Sequence, residues 1–289
     1  MNILITGITG NFGHAVYKAI KGRTDLQIYA GARNPERVNF LLEDPDIKVR
    51  RFDFLDNSTY ESALEHIDAV VLVRPPSISK VNQGMFPFID ACSERGVQHL
   101  VFLSLQGVEK KHTTPHYKIE NYIKKIGIPY TFLRPSFFME NLITAHREEI
   151  RYESRLMVPA GEGRVNFIAV EDIAQAAARC IGNAEHYNKA YELTGEEDYT
   201  YYDVAGILSE ELGRTISYEK PGFFQFLVYR LKKGEQLAYI LVMMFIYRAV
   251  RAGNAAEETD VLVKKFGVKP TELRDFIRER SSYFQSESL

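Results

Sequence analysis

Short apolar runs alternate with amphipathic stretches through the first half of the chain. The runs at 2–6, 26–30, 47–52, 68–73, 99–104 and 130–134 are rich in Ile, Val, Leu and Phe and are predicted to be strands. The stretches at 11–21, 35–43, 59–66, 81–95 and 115–126 carry apolar residues at helical spacing and are predicted to be helices. Ala69-Val70-Val71-Leu72-Val73 is apolar without alternation, the pattern of a strand covered on both faces. Strands separated by helices of this length make βαβ units, so the expected architecture is α/β with a doubly wound parallel sheet.

The rhythm changes after Pro135. A strand is expected at 165–170, a helix at 171–182 and a strand at 190–193; from Thr200 onward the pattern is largely helical, with one strand at 215–219. Residues 1–135 are therefore expected to form the main core. Residues 136–289 should form a smaller, mostly helical C-terminal region that holds substrate or acts as a lid, with 165–195 contributing back to the core.

The segment Phe223–Arg251 is rich in aromatics and methionine, and its most apolar part, Leu237–Phe245, lies between Glu235 and Arg248. A membrane span needs about 20 apolar residues, so this part is read as a buried or lid helix and no membrane span is expected. Met1-Asn2 runs straight into Ile3-Leu4-Ile5, with no basic leader, which points to a cytoplasmic protein.

Composition narrows the partners. The 289 residues are 45% hydrophobic and 26% charged, ordinary for a globular protein, and the formal net charge is −2. No basic field is present to hold a nucleic-acid backbone, so none is expected as a partner. The two cysteines, Cys92 and Cys180, lie apart among apolar neighbours. They are read as small buried hydrophobes, and no metal site is expected.

The chemistry concentrates in Thr6-Gly7-Ile8-Thr9-Gly10-Asn11-Phe12-Gly13, which follows a predicted strand and opens a predicted helix. Gly7 permits a tight turn, Gly10 lets the backbone approach a pyrophosphate, and Gly13 lets helix and strand pack closely. The helix start then offers unpaired N–H groups to the phosphates. The spacing is GxxGxxG rather than GxGxxG. At the end of the second strand stands Arg33, where an NAD-binding chain usually has an acid. A guanidinium there suits a 2′-phosphate, which points to NADP(H); Arg37 is placed to assist, and Glu36 is a nearby acid. The other reading of Arg33 is an ordinary surface arginine. These features make the sheet a nucleotide-binding Rossmann domain.

Further segments complete a resemblance. They are Gly31-Ala32-Arg33-Asn34-Pro35, Asp53-Phe54-Leu55-Asp56, Phe102-Leu103-Ser104, Gly127 to Pro135, and Val170-Glu171-Asp172-Ile173-Ala174. With the glycine motif they resemble the NmrA-like group of atypical short-chain dehydrogenase/reductases over nearly the whole chain. The resemblance implies that Gly7, Thr9, Gly10, Asn11 and Phe12 line the pyrophosphate and Arg33 meets the 2′-phosphate. It implies that Asp53 and Phe54 lie by the adenine, that Val73 and Arg74 pass near the nicotinamide half, and that Ser104 sits beside the nicotinamide. Ser104 also reads as a satisfied strand-end hydroxyl. Phe137, Phe138 and Met139 are placed by the resemblance along the substrate side, as an apolar wall for a flat ligand; the other reading is core, the more common place for such residues.

Ordinary short-chain dehydrogenases use a Tyr-x-x-x-Lys pair. The spacing occurs at Tyr17/Lys21 and Tyr229/Lys233, but neither follows the fifth strand, and both are read as coincidence. After that strand comes Thr114-Pro115-His116-Tyr117-Lys118. Thr114 is placed to cap the helix, with Pro115 in its first position. Ile119, Tyr122, Ile123 and Ile126 form the buried stripe, and His116 lies near it. His116 is the better catalytic candidate, as a neutral hydrogen-bonding group for a carbonyl or quinone oxygen. It reads alternatively as closing the first turn or binding nucleotide. Lys118, on the flank, is the weaker candidate for a proton donor.

The expected function is an NADPH-dependent oxidoreductase that passes hydride to a quinone or other small conjugated carbonyl compound. The alternative is a non-catalytic NADP(H)-binding redox sensor that acts through a protein partner.

Overall fold

The structure, a computed structural model, describes residues 1–42, 44 and 46–285. The first part of the chain runs β1 (Asn2–Thr6), α1 (Asn11–Ile20), β2 (Gln27–Ala32), α2 (Pro35–Leu42), β3 (Lys48–Arg51), α3 (Tyr60–Leu64), β4 (Ala69–Leu72), α4 (Met85–Glu94), β5 (His99–Leu103), α5 (Pro115–Ile126) and β6 (Tyr130–Pro135). It continues with β7 (Phe137–Phe138), α6 (Arg147–Glu153), β8 (Arg155–Leu156), β9 (Arg164–Ile168), α7 (Val170–Cys180), β10 (Lys189–Leu193), β11 (Asp198–Thr200) and α8 (Tyr201–Leu212). The last elements are β12 (Ser217–Tyr218), α9 (Phe223–Lys232), α10 (Leu237–Arg251), α11 (Val261–Phe266) and α12 (Leu273–Glu279). The expected last residue of the second helix, Glu43, lies outside the described residues.

The chain divides into two compact units. The first comprises 1–135, 170–193 and 261–268, the second 136–169, 194–260 and 269–289. The expected returning segment, 165–195, thus differs at both ends. Residues 165–168 pair in a sheet of the second unit, and the helical turns 261–268, not foreseen, join the first.

The first unit is built on a seven-stranded sheet in the order β10-β6-β5-β4-β1-β2-β3, every pair parallel. Alternation along each strand explains why both faces are apolar. Leu4, Val70, Leu72, Leu100 and Phe102 share one hydrophobic cluster with side chains of α3, α4 and α5. Ile3, Ile5, Val71 and Val101 point the other way and are equally buried. Tyr60, Phe52, Phe54 and Phe88 interlock edge-to-face and tilted, with centroids 4.7 to 6.0 Å apart. The two cysteines are buried, and burial pushes both thiols well above their usual pKa.

The second unit is helical but also carries two small sheets; β9 and β12 fall in the runs expected at 165–170 and 215–219, whereas β7, β8 and β11 were not foreseen. β9 pairs parallel with β7 and antiparallel with β11, and β8 pairs parallel with β12. Asn166, fully buried, ties this unit internally. Its Oδ1 accepts from Gly195 N at 2.8 Å and Ser136 Oγ at 2.9 Å, and its Nδ2 donates to the carbonyls of Gly195 and Glu197. Helix α10 covers the segment read as a buried or lid helix. It buries Ile240, Met243, Tyr247 and Val250 but exposes most of its other apolar side chains. Among the described residues no helix is long and apolar enough to cross a membrane.

Candidate functional site

The strand order reverses between β1 and β4: the sheet grows through β2 and β3 on one side and through β5 and β6 on the other, which opens a crevice at the carboxyl ends of β1 and β4. Thr6 fastens this point. Its hydroxyl donates to Val71 O at 3.1 Å and accepts from Val73 N at 2.9 Å.

The glycine turn follows. Gly7 has φ +68°, a left-handed conformation open to glycine, and a Cβ on it would approach Val73 Cβ to 3.3 Å. A Cβ on Gly13 would stand 2.3 Å from Gly7 O, so only glycine lets α1 start this close to the turn. Gly10 is the N-cap residue of α1 and has no side chain to satisfy the first-turn N–H groups. Gly7, Thr9, Gly10 and Asn11 are exposed there; Phe12 and Gly13 are buried, so Phe12 has only its backbone to offer a ligand.

Arg33 is exposed directly after β2 and makes no ion pair among the described residues. Arg37 N donates to Asn34 Oδ1, which caps α2 and leaves the Arg37 side chain exposed. Asp53 accepts Leu55 N at 2.9 Å, closing the turn after β3. The Phe54 ring belongs to the aromatic core, against Phe52 and Phe88. It is therefore withdrawn from any adenine, and Phe54 can border a nucleotide only through its backbone.

Arg74 is folded back on its own loop. Its Nη1 donates to the carbonyls of Pro75, Pro76 and Ile78, while its buried Nε has no partner among the described residues. The loop after β4, which the resemblance places near the nicotinamide half, is thus shaped from within by Arg74. The left-handed glycine, the helix start that excludes a Cβ, and the orphaned Arg74 Nε all suit a dinucleotide laid across β1 and β4.

The end of β5 holds a network that the sequence did not disclose. Ser104, buried, donates to Glu120 Oε1 at 2.6 Å. Glu120 in turn binds Arg134 through both oxygens, at 3.0 Å to Nε and 2.7 Å to Nη2. Arg134 also pairs with Glu109 and Glu192, and Glu192 accepts Gly107 N at 3.2 Å. Burial alone would lower the Arg134 pKa, but the carboxylates of Glu120 and Glu109 raise it; Arg134 holds Glu109 below the usual carboxylate range. Burial pushes Glu192 up. Glu120 falls beside the buried stripe of α5 and Arg134 at a strand end, positions that only their mutual pairing makes tolerable.

His116 opens α5 as expected. Thr114 Oγ1 accepts Tyr117 N, Pro115 takes the first turn, and Gly127 ends the helix at φ +86°. The imidazole is half-buried and stacks on Phe102 at 6.0 Å. Burial, and then the charges of Arg74 and Lys111, push its pKa down to about 3, so it is neutral at ordinary pH. Lys111, half-buried, donates to Gln106 O at 2.9 Å. Lys118 faces elsewhere. It lines a groove of about 630 Å³ with Lys80, Phe86 and Tyr122, and His116 is not part of that lining. The helical turn of about 100° per residue separates the two by some 200°, so Lys118 is not brought to the imidazole.

Both Tyr-x-x-x-Lys spacings are structural. Tyr17 and Lys21 share Asp44, and Tyr229 and Lys233 share Glu153. In the second unit Met139 is core at 2% exposure, correcting its place in an apolar ligand wall; Phe137 packs on the same core, and both phenylalanines are half-buried.

The NmrA-like family model matches residues 1–278. The chain belongs to that family. It is 32% identical over 295 residues to an agroclavine dehydrogenase of Claviceps fusiformis, covering 98% of each chain. It is 30% identical to quinone oxidoreductase 2 of Escherichia coli over 224 residues, 75% of this chain and 77% of the relative. The NADPH-dependent quinone oxidoreductase of Escherichia coli, solved with NADPH, superposes with a TM-score of 0.85 at 26% identity, covering 96% of this chain and 99% of that one. Relatives similar to this chain over most of its length are thus named oxidoreductases, and the solved quinone oxidoreductase shares its overall fold.

Proposed function

We propose that this protein is an NADPH-dependent reductase whose acceptor is a quinone or another small conjugated carbonyl compound. That the protein is an oxidoreductase using NADP(H) rests on the NmrA-like relatives and their NADPH complex. The acceptor class is our reading of the site, and one observation carries it. At the carboxyl end of the sheet a neutral imidazole, His116, lies within the field of two cations, Arg74 and Lys111.

The nicotinamide of bound NADPH supplies the hydride. The chain's residues bind and orient. The N–H groups after Gly10 and the dipole of α1 receive the pyrophosphate, and Arg33 receives the 2′-phosphate. Hydride addition to a conjugated carbonyl puts negative charge on its oxygen. The neutral His116 ring donates its N–H to that oxygen, and the positive charges of Arg74 and Lys111 favour the charge that develops. A quinone suits this arrangement because its reduced oxygen is a weak base and needs little proton transfer, consistent with a site that lacks the Tyr/Lys pair.

The test is NADPH oxidation by the purified protein against a panel of quinones and small aldehydes, alongside His116→Ala. Turnover with quinones that falls in the variant supports the reading. NADPH binding without turnover on any acceptor would discard it in favour of a redox sensor.

A further inference from the structure

Helix α10 is apolar on almost every side, yet the unit around it uses one stripe. Ile240, Met243, Tyr247 and Val250 face the core. Leu237, Tyr239, Leu241, Val242, Phe245 and Ile246 are exposed, between 39% and 63% of their surface. At 3.6 residues per turn these six sweep about 200° of the helix circumference. Phe224, on the preceding helix α9, is 76% exposed. A core-facing stripe takes about 100°, so this arc is not explained by packing among the described residues.

Along α10 itself the charges have one sign. No Asp or Glu occurs between Glu235 and Glu257, a stretch that contains Arg248 and Arg251. Glu235 itself is engaged by Arg230 at 2.7 Å. Lys232, at the end of α9, and Arg248 are exposed and pair with no acid among the described residues.

We propose that α9 and α10 dock the protein on an anionic lipid surface, with the α10 arc sunk into the headgroup boundary and Lys232, Arg248 and Arg251 against the lipid phosphates. A helix lying in that boundary presents a wide apolar arc to acyl chains and keeps cations at the headgroup level. A second copy of this chain is a poorer occupant, since it would bring the same unpaired cations and no acid from this surface to neutralise them. Fifteen residues make α10 too short to span, so the contact is peripheral. The proposal stands apart from the reductase reading, because vesicle binding is read without turnover.

The experiment is co-sedimentation of the full chain with phosphatidylcholine vesicles, with and without phosphatidylglycerol, at low and high salt. Binding to the anionic vesicles should exceed binding to the neutral ones by about ten-fold or more and weaken with salt. Leu241→Asn with Phe245→Asn should abolish it without lowering the thermal midpoint, and Arg248→Glu should weaken it. Absence of binding to anionic vesicles overturns the proposal. So does binding unchanged in the double variant. Sedimentation velocity closes the remaining route: a dimer that the double variant splits, with no vesicle binding, assigns the face to a second copy instead.

Discussion

Ser104 gives its hydroxyl hydrogen to Glu120 at 2.6 Å, and the same carboxylate grips Arg134 through both of its oxygens. The serine at the end of β5 therefore has only lone pairs left for a ligand. Its position is set by an ion pair in which both side chains are nearly sealed from water.

Glu120→Ala would leave Arg134 short of its principal partner in a buried place. The expected loss is about 3–5 kcal/mol, the usual effect of removing one member of a buried pair. Glu109→Ala removes a carboxylate that is 69% exposed and should cost about 0–1 kcal/mol. Urea denaturation of the two variants checks the contrast, and similar losses would refute the burial argument.

Gly13→Ala would set a methyl group 2.3 Å from Gly7 O, inside any permitted contact. Overpacking of this kind costs about 1–3 kcal/mol, and relief requires the turn or α1 to move. NADPH affinity and the thermal midpoint should fall together. A variant that keeps wild-type NADPH affinity would show that the close approach does not shape the site.

Arg33→Ala should separate the two nicotinamide cofactors. A charge-assisted contact is worth about 1.5–3 kcal/mol, roughly ten- to a hundred-fold in affinity. The NADPH dissociation constant should rise by that factor while that of NADH stays nearly the same, as fluorescence titration will report. Equal weakening of both would remove Arg33 from the 2′-phosphate.

His116 carries no charge above a pKa of about 3. The quinone-reduction rate should therefore show no inflection from this residue between about pH 5 and 8, while His116→Ala lowers kcat by about 10²-fold through the lost N–H donor. An inflection near pH 6.5 that disappears in the variant would mean that the imidazole titrates normally and acts as an acid.

His99 supplies a stability signature. It is 1% exposed, donates from Nε2 towards Thr131 Oγ1 at 2.9 Å and accepts Gly182 N on Nδ1. Burial, then the neighbouring His186, push its pKa to about 4 from 6.5. Between those values the unfolded chain takes up a proton that the folded chain refuses. Stability is thus full above pH 6.5 and declines as pH falls towards 4, by at most about 1.4 kcal/mol per pH unit from this group. His99→Gln should flatten that slope in a pH series of melts.

Local patterns carried the first unit a long way. Apolar runs covered on both faces announced parallel strands, and Gly7, Gly10 and Gly13 announced the turn, because those signals act within a few residues. The position of Arg33 directly after β2 was legible for the same reason. Glu120 and Arg134 were not, since an acid in an amphipathic helix reads as solvated until its partner is known to lie on the next strand. The resemblance set Phe54 by the adenine and Met139 on the substrate side, whereas side-chain direction, which no spacing encodes, took Phe54 into one core and Met139 into the other.

The sequence by itself determined the α/β order, the nucleotide turn and the family, all of which depend on spacing along one segment. Tertiary structure alone decided which groups meet. It brought Arg74 and Lys111 to His116, sent Lys118 to another groove, and left much of the apolar helix α10, read as a buried or lid helix, exposed. Those outcomes depend on how elements pack and on which face of each is left uncovered, and no local periodicity encodes that choice.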